Sequence, residues 1–257
     1  MSSQTSAGKS VKDKVAVIVG GAGGIGKATA KMFADAGAHV VITHRPDAER
    51  AAAAQLLLES FAGTNHMAAP ADVVDTASLI ALRDAVVARY GRCDILVNTA
   101  GFTKPVPHSN LDGLDDELID RMFAVNWRGQ YATVRTFAPL LKASGDGLIV
   151  SVSSIAAVNG NGSSIAYGAT KAAIDVMTKS LARALAPEVR VIGVSPGVVA
   201  TGFVPGRGAE FNDKTAATTP LKRVGQPEDI ASAIFACATL LTFTTGTNIV
   251  VDGGRSL

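Results

Sequence analysis

Val15-Ala-Val-Ile-Val-Gly-Gly-Ala-Gly-Gly-Ile-Gly26 is the stretch that decides the fold. Its first five residues, Val15 to Val19, are the β-branched apolar run of a buried strand. The glycines that follow open a helical pattern near Ile25 to Ala36, which Gly37 terminates as a C-capping glycine does. A glycine-rich turn between a strand and a helix N-terminus lets backbone N–H groups approach a pyrophosphate without Cβ atoms intervening. Two known patterns overlap here. Gly21 to Lys27 has the spacing of a nucleotide hydrolase loop, but that loop needs Ser or Thr after the lysine to hold magnesium, and position 28 is alanine. The other pattern is a dinucleotide loop, with Gly20, Gly24 and Gly26 as its glycines and Ile25 between the last two.

Outward from this loop, short β-branched runs alternate with helical patterns. Strands are expected at Val40 to Thr43, weakly at His66 to Ala68, and at Ile95 to Val97, Leu148 to Val152, Val189 to Val194 and Asn248 to Val251. Helices are expected at Ala48 to Ala62, Ala77 to Tyr90, Leu114 to Ala143, Ser164 to Leu185 and Ile230 to Leu241. That rhythm predicts a single doubly wound α/β domain, a parallel sheet of about seven strands covered by helices on both faces. Residues 1–10 are polar and small and are expected to form a flexible tail, leaving 11–257 as the dinucleotide-binding and catalytic domain. Gly202 to Lys222 is the one long stretch of loop character in the second half.

The 257 residues are 47% hydrophobic and 18% charged, which excludes global disorder. The formal charge of +2 comes from dispersed side chains, so no nucleic-acid partner is expected. Ile230 to Val251 is uncharged and about as long as a membrane span, but its five threonines and the break at Thr244 to Thr247 make it a helix followed by a strand, with no membrane role. Cys93 and Cys237 make no disulfide framework, and the first residues have no apolar signal region, so the expected location is cytoplasmic. The histidines (His39, His44, His66, His108) show no metal-ligand spacing, and no metal is expected.

At the end of the second strand, an NAD site places an acid about 20 residues beyond the glycines to bond the ribose hydroxyls. This chain reads Thr43-His44-Arg45-Pro46 instead. A guanidinium there pairs bidentately with a 2′-phosphate, so NADP(H) is the expected preference, with NAD(H) possible.

Tyr167-x-x-x-Lys171 falls on an expected helix, where residues four apart share a face. Lowering a phenol pKa by about 3 units requires about 4 kcal/mol of preferential stabilisation of the phenolate, which an adjacent ammonium supplies. Ser154, just past a strand end, is placed to donate to the same substrate oxygen.

Together, the glycine loop, Asn98-Thr-Ala-Gly101 after a strand, Asn126, Ser154, Tyr167-x-x-x-Lys171 and Pro196-Gly197 occur in the order and spacing of the short-chain dehydrogenases/reductases, which this sequence resembles from about Lys14 to Gly254. Arg223-x-Gly-x-Pro-Glu-Asp and Val251-Asp-Gly-Gly254 are similar to that family's C-terminal signature. The resemblance implies a Rossmann-type fold and an NADP(H)-dependent oxidoreductase interconverting a carbonyl and a secondary alcohol on a small-molecule substrate. It implies Tyr167 as general acid/base, Lys171 lowering its pKa and holding the nicotinamide ribose, Ser154 orienting the carbonyl, and Asn126 supporting a water-mediated proton relay. It implies Asp72, with Val73 beside it, near the adenine, and Asn98, Ala100 and Gly101 along the cofactor. Pro196, Gly197, Val199 and Thr201 would sit beside the nicotinamide. Family members are commonly tetramers, so a homo-oligomer, tetramer or dimer, is expected.

Three positions depart from the family pattern: Val19 for a threonine, Gly23 for a frequent serine, and Thr99 for the second asparagine. The alternatives are an epimerase or dehydratase that recycles its nicotinamide, whose known examples are longer, and a non-catalytic NADP(H) sensor, which the retained Tyr167 and Lys171 oppose. Phe102, Lys104, Val106, Asn159, Asn161, Phe203 and Arg207 fall in loops expected near the reacting carbonyl, a mixture that does not specify one substrate.

Overall fold

The computed structural model describes residues 8–63 and 65–257. Seven strands form one parallel sheet: β1 Val15–Val19, β2 His39–His44, β3 Met67–Pro70, β4 Ile95–Asn98, β5 Gly147–Val152, β6 Val189–Pro196 and β7 Thr247–Val251. Their order is β3-β2-β1-β4-β5-β6-β7, so the winding reverses between β1 and β4. That reversal opens a crevice beyond the carboxyl ends of the two strands, where doubly wound sheets bind ligands. Register brings Val19 opposite Asn98 and Asn98 opposite Ser151, so the loops after β1, β4 and β5 emerge side by side.

Alternate residues of each strand enter opposite layers. Ala16 and Ile18 pack with α1 (Gly24–Asp35) and α9 (Pro227–Thr239), whereas Val15, Val17 and Val19 pack toward α3 (Thr76–Tyr90), α5 (Gly129–Ala143) and α7 (Ile165–Leu185). Phe33 of α1 meets Phe235 of α9 edge to face at 5.2 Å. Two of the histidines serve this scaffold: His66 accepts the Val40 N–H at 3.2 Å, and His39 stacks on Tyr90. The uncharged run after Ile230 divides into α9 and β7, and among the described residues no helix is long and apolar enough to cross a membrane. Of the expected tail, residues 1–7 lie outside the described residues, while Lys9 is fastened through its N–H to the Thr239 carbonyl and through its ammonium to Asp146.

The expected second helix is α2 (Ala48–Glu59). Leu114 to Ala143 is not the continuous helix its pattern suggests. It consists of α4 (Asp116–Phe123), a π-helical turn at Ala124–Arg128, and α5. A one-turn π-bulge shifts the phase of the apolar pattern only once, while both flanking stretches keep the α-helical period, so a pattern read over the whole stretch shows a single helix. Past β5 and α6 (Ala156–Asn159), the supposed loop Gly202 to Lys222 contains α8 (Ala209–Thr218), of which only Thr215 is buried. A helix with one buried residue lacks an apolar stripe to reveal it. The ends of this segment are stitched together: Val199 pairs with Gly225, whose N–H donates to Val198 and whose carbonyl accepts the Ala200 N–H at 2.8 Å.

Gly20 takes φ +82°, and a Cβ there would lie 2.7 Å from the Ala100 nitrogen. Gly20→Ala is therefore expected to cost about 3 kcal/mol, from left-handed backbone strain plus displacement of the β4 loop. Urea unfolding measures it; a loss below about 1 kcal/mol would contradict a strained, crowded Gly20.

Candidate active site

The glycine loop and the β4 loop are joined through one acceptor. The Val19 carbonyl receives the N–H groups of Thr99 and Ala100 and the Thr99 hydroxyl, the last at 2.8 Å. Thr99, in the place of an asparagine, thus supplies a side-chain donor that ties the two loops. The Gly20 N–H donates to Thr43 Oγ1 at 3.0 Å, tying the same loop to β2. Gly26 admits no side chain, because a Cβ would collide with the Gly20 carbonyl oxygen. Helix α1 begins at Gly24 behind Gly23, with no side-chain cap and no acid in its first turn. Its first N–H groups and its positive dipole end therefore face a place suited to a pyrophosphate.

Tyr167 lies in the first turn of α7, started by Ser164, whose hydroxyl accepts the Tyr167 N–H at 3.2 Å. One turn on, Lys171 is 4% exposed, its ammonium 5.6 Å from the Tyr167 ring centroid and donating to the Val152 carbonyl at 2.8 Å. Ser154 follows β5 and accepts the Ala156 N–H at 3.2 Å. All three line one cavity of about 490 Å³, which also includes Ile25, Pro196 and Thr201. A nicotinamide and a small carbonyl compound fit such a space at its polar, proton-bearing wall.

Burial dominates the electrostatics of the pair. It pushes the Tyr167 phenol up to about 12, opposed by Ser154 and by the Arg207 guanidinium. Lys171 itself is pushed down to about 8 by burial, against the attraction of Asp175. Both shifts have the same leading cause, the loss of water around the charged form in a buried site.

The family model described as enoyl-(acyl carrier protein) reductase matches residues 20–256. L-rhamnose 1-dehydrogenase (NAD(P)(+)) of Azotobacter vinelandii is 36% identical over 249 residues, 94% of this chain and 96% of the relative. Cis-4-hydroxycyclohexanecarboxylate dehydrogenase of Sinomonas cyclohexanicum is 34% identical over 251 residues, covering 96% and 98%. The structure of 3-ketoacyl-(acyl-carrier-protein) reductase from Brucella melitensis complexed with NADH aligns with a TM-score of 0.85 at 32% identity, covering 96% of this chain and all 100% of that one. The chain is a short-chain dehydrogenase/reductase. As such it is a nicotinamide-dependent oxidoreductase of the carbonyl/alcohol type.

Within this dehydrogenase/reductase, the residues singled out from sequence fall into three places. Ile25, Gly101, Ser154, Tyr167, Lys171, Pro196, Gly197, Val199 and Thr201 line the cavity. Gly24 approaches it, since a Cβ there would touch the Thr201 methyl at 2.6 Å. A second group lies at the carboxyl ends of β2 and β3. His44 pairs with Pro70, and its carbonyl accepts the Ala71 N–H at 2.8 Å, which brings Arg45 near Asp72 and Val73. Arg45 is exposed, and its side chain has no hydrogen-bond or ion-pair partner among the described residues. Asp72 is spent locally, accepting the Val74 N–H at 3.0 Å.

The third group lies outside the cavity wall. Asn126 is completely buried on the π-turn. Its amide oxygen accepts the Phe102 N–H at 2.7 Å, and its nitrogen donates to the Phe102 carbonyl and to Thr170, whose hydroxyl donates to the Tyr167 carbonyl. Asn98 is 1% exposed and lies outside the cavity wall. Of the loop residues considered for the substrate, Asn159, Asn161, Phe203 and Arg207 line the cavity, and Phe102, Lys104 and Val106 do not. Sequence reasoning missed Phe211 on α8, which stands in no motif, and Arg255, which directly follows the Val251-Asp-Gly-Gly254 signature but is not part of it.

Proposed function

We propose that the enzyme prefers NADP(H) and that Tyr167 carries the proton in a reversible reduction of a carbonyl to a secondary alcohol. The observation that carries this reading is the convergence of Tyr167, Ser154 and Lys171 on one cavity whose other end meets the uncapped start of α1. When bound, the nicotinamide supplies or accepts the hydride at the carbonyl carbon. In reduction the Tyr167 hydroxyl releases its proton to the carbonyl oxygen as electron density arrives there, and in oxidation the phenolate takes it back. Ser154 donates to the same oxygen and aligns it. The buried ammonium of Lys171 favours the phenolate when charge develops at Tyr167. Asn126 acts through position: it fixes Phe102 after the β4 loop and, through Thr170, the first turn that carries Tyr167. The enzyme is further proposed to associate with copies of itself, since Trp127 stacks on a 41%-exposed Tyr131 at the surface of α5.

Arg45, exposed beyond β2 and without a side-chain partner among the described residues, supports the 2′-phosphate preference, because His44-Arg45 stands at the strand end where an NAD site carries an acid. The test is a fluorescence titration with NADPH and NADH, then turnover of a carbonyl panel with each. At least tenfold higher kcat/KM with NADPH is expected, and comparable values would overturn the preference. Arg45→Ala is expected to lower kcat/KM for NADPH about 10- to 100-fold, the loss of charge-assisted hydrogen bonds, with NADH changed less than threefold.

A further inference from the structure

The cavity wall carries a charge pattern that proton transfer does not use. Its ionisable side chains are Tyr167, Lys171, Arg207 and Arg255, and among the described residues no Asp or Glu contributes to it. Lys171 is engaged by Val152. Arg207, just before α8, sits over the Phe211 ring with its guanidinium carbon 4.5 Å from the centroid, and its nitrogens have no hydrogen-bond or ion-pair partner among the described residues. Arg255 is anchored through one nitrogen only: Nη1 donates to the Thr215 carbonyl at 3.4 Å and to the hydroxyls of Thr218 and Thr219 at 3.1 and 3.3 Å. Its Nε and Nη2 have no partner among the described residues.

Both guanidiniums are held against α8, Arg207 over Phe211 and Arg255 at Thr215, positions one helical turn apart. Burial and the charge of Arg255 both hold Arg207 below its ordinary pKa, while Tyr167 pulls the other way. Half-buried like charges without a counter-ion are relieved by a bound anion, and a guanidinium fork matches a carboxylate in geometry as well as charge. Phe203, Val204 and Phe211 line the same wall, with the Phe203 ring 6.0 Å from that of Tyr167.

We infer that the substrate carries a carboxylate, bound between Arg207 and Arg255, on an apolar body that lies against Phe203 and Phe211 while its carbonyl reaches Tyr167. This rests on the reading that Tyr167 marks the place of the reacting carbonyl. Arg207 belongs to the same stretch of the cavity wall as Phe203, whose ring neighbours that of Tyr167, which assigns the cations to the substrate end of the cavity.

The test is calorimetric titration of the full chain loaded with NADP+, using levulinate and benzoylpropionate and the methyl ester of each. At least one acid is expected to bind ten times or more tighter than its ester. Arg207→Gln and Arg255→Gln, each checked for an unchanged unfolding midpoint, are expected to reduce that ratio below threefold while leaving NADPH affinity within threefold. Acids and esters binding alike, a ratio that survives both variants, or variants that weaken NADPH as much as the acid would each overturn the assignment. Turnover of uncharged carbonyls reports on the oxidoreductase reading separately: acid binding without reduction of any carbonyl would defeat that reading and leave the anion site standing.

Discussion

Replacing Tyr167 by phenylalanine is expected to lower kcat about 1,000-fold, with NADPH affinity and the unfolding midpoint nearly unchanged. General acid–base catalysis by a positioned side chain is worth about 100- to 10,000-fold, and Phe removes only the group that moves the proton. The aromatic body keeps its place beside Phe203 and below Gly162, where the space for a Cβ already ends 3.1 Å from the Tyr167 ring. Steady-state turnover together with a cofactor titration decides the matter. Activity above about a tenth of wild type would move proton transfer to Ser154 or to water.

Lys171→Met is expected to lower turnover about 100- to 1,000-fold, yet to make the fold more stable near neutral pH. In the native state burial pushes Lys171 from 10.5 down to about 8, a difference of roughly 3 kcal/mol against its charged form. Losing the hydrogen bond to Val152 takes back about 1–2 kcal/mol, leaving a net gain of about 1–2 kcal/mol for the variant. The sign with pH follows from proton counting. Between about pH 8 and 10.5 the unfolded wild-type chain binds the lysine proton more strongly than the native one, so wild-type stability rises with pH across that window. The variant's advantage should therefore be full below about pH 8 and fade toward pH 10.5. Urea midpoints at pH 7 and pH 10 measure it, and a gap that does not change with pH would contradict a charged, buried Lys171.

These two residues are legible in the sequence because helical spacing alone places them on one face, and because phenol chemistry near neutrality asks for a cation nearby. The strands are equally legible: five consecutive β-branched or small apolar residues at Val15 to Val19 have no other comfortable home than a sheet covered on both sides. The coupling inside the Tyr167 and Lys171 pair is not legible. Spacing shows that two groups meet but says nothing of the Val152 carbonyl, which arrives from β5 and claims the ammonium. Arg255 is hidden for a similar reason, as its hydrogen-bond partners, Thr215, Thr218 and Thr219, come from the end of a helix distant in sequence and without an apolar stripe. The π-turn at Asn126 is invisible because backbone hydrogen-bond register leaves little trace in residue type.

The paired contacts of Val198 to Ala200 with Gly225 give the intervening segment the status of a cassette. Its two ends are bonded to each other, so exchanging its middle, which bears Phe203, Arg207 and Phe211, is expected to leave β6 in place as long as the contacts of Thr215, Thr218 and Thr219 with Arg255 are kept. Substrate range and reaction chemistry are thereby separable for an engineer: the scaffold from Val15 to Pro196 holds the proton donor, and a short graft over residues 202–222 rewrites what is brought to it.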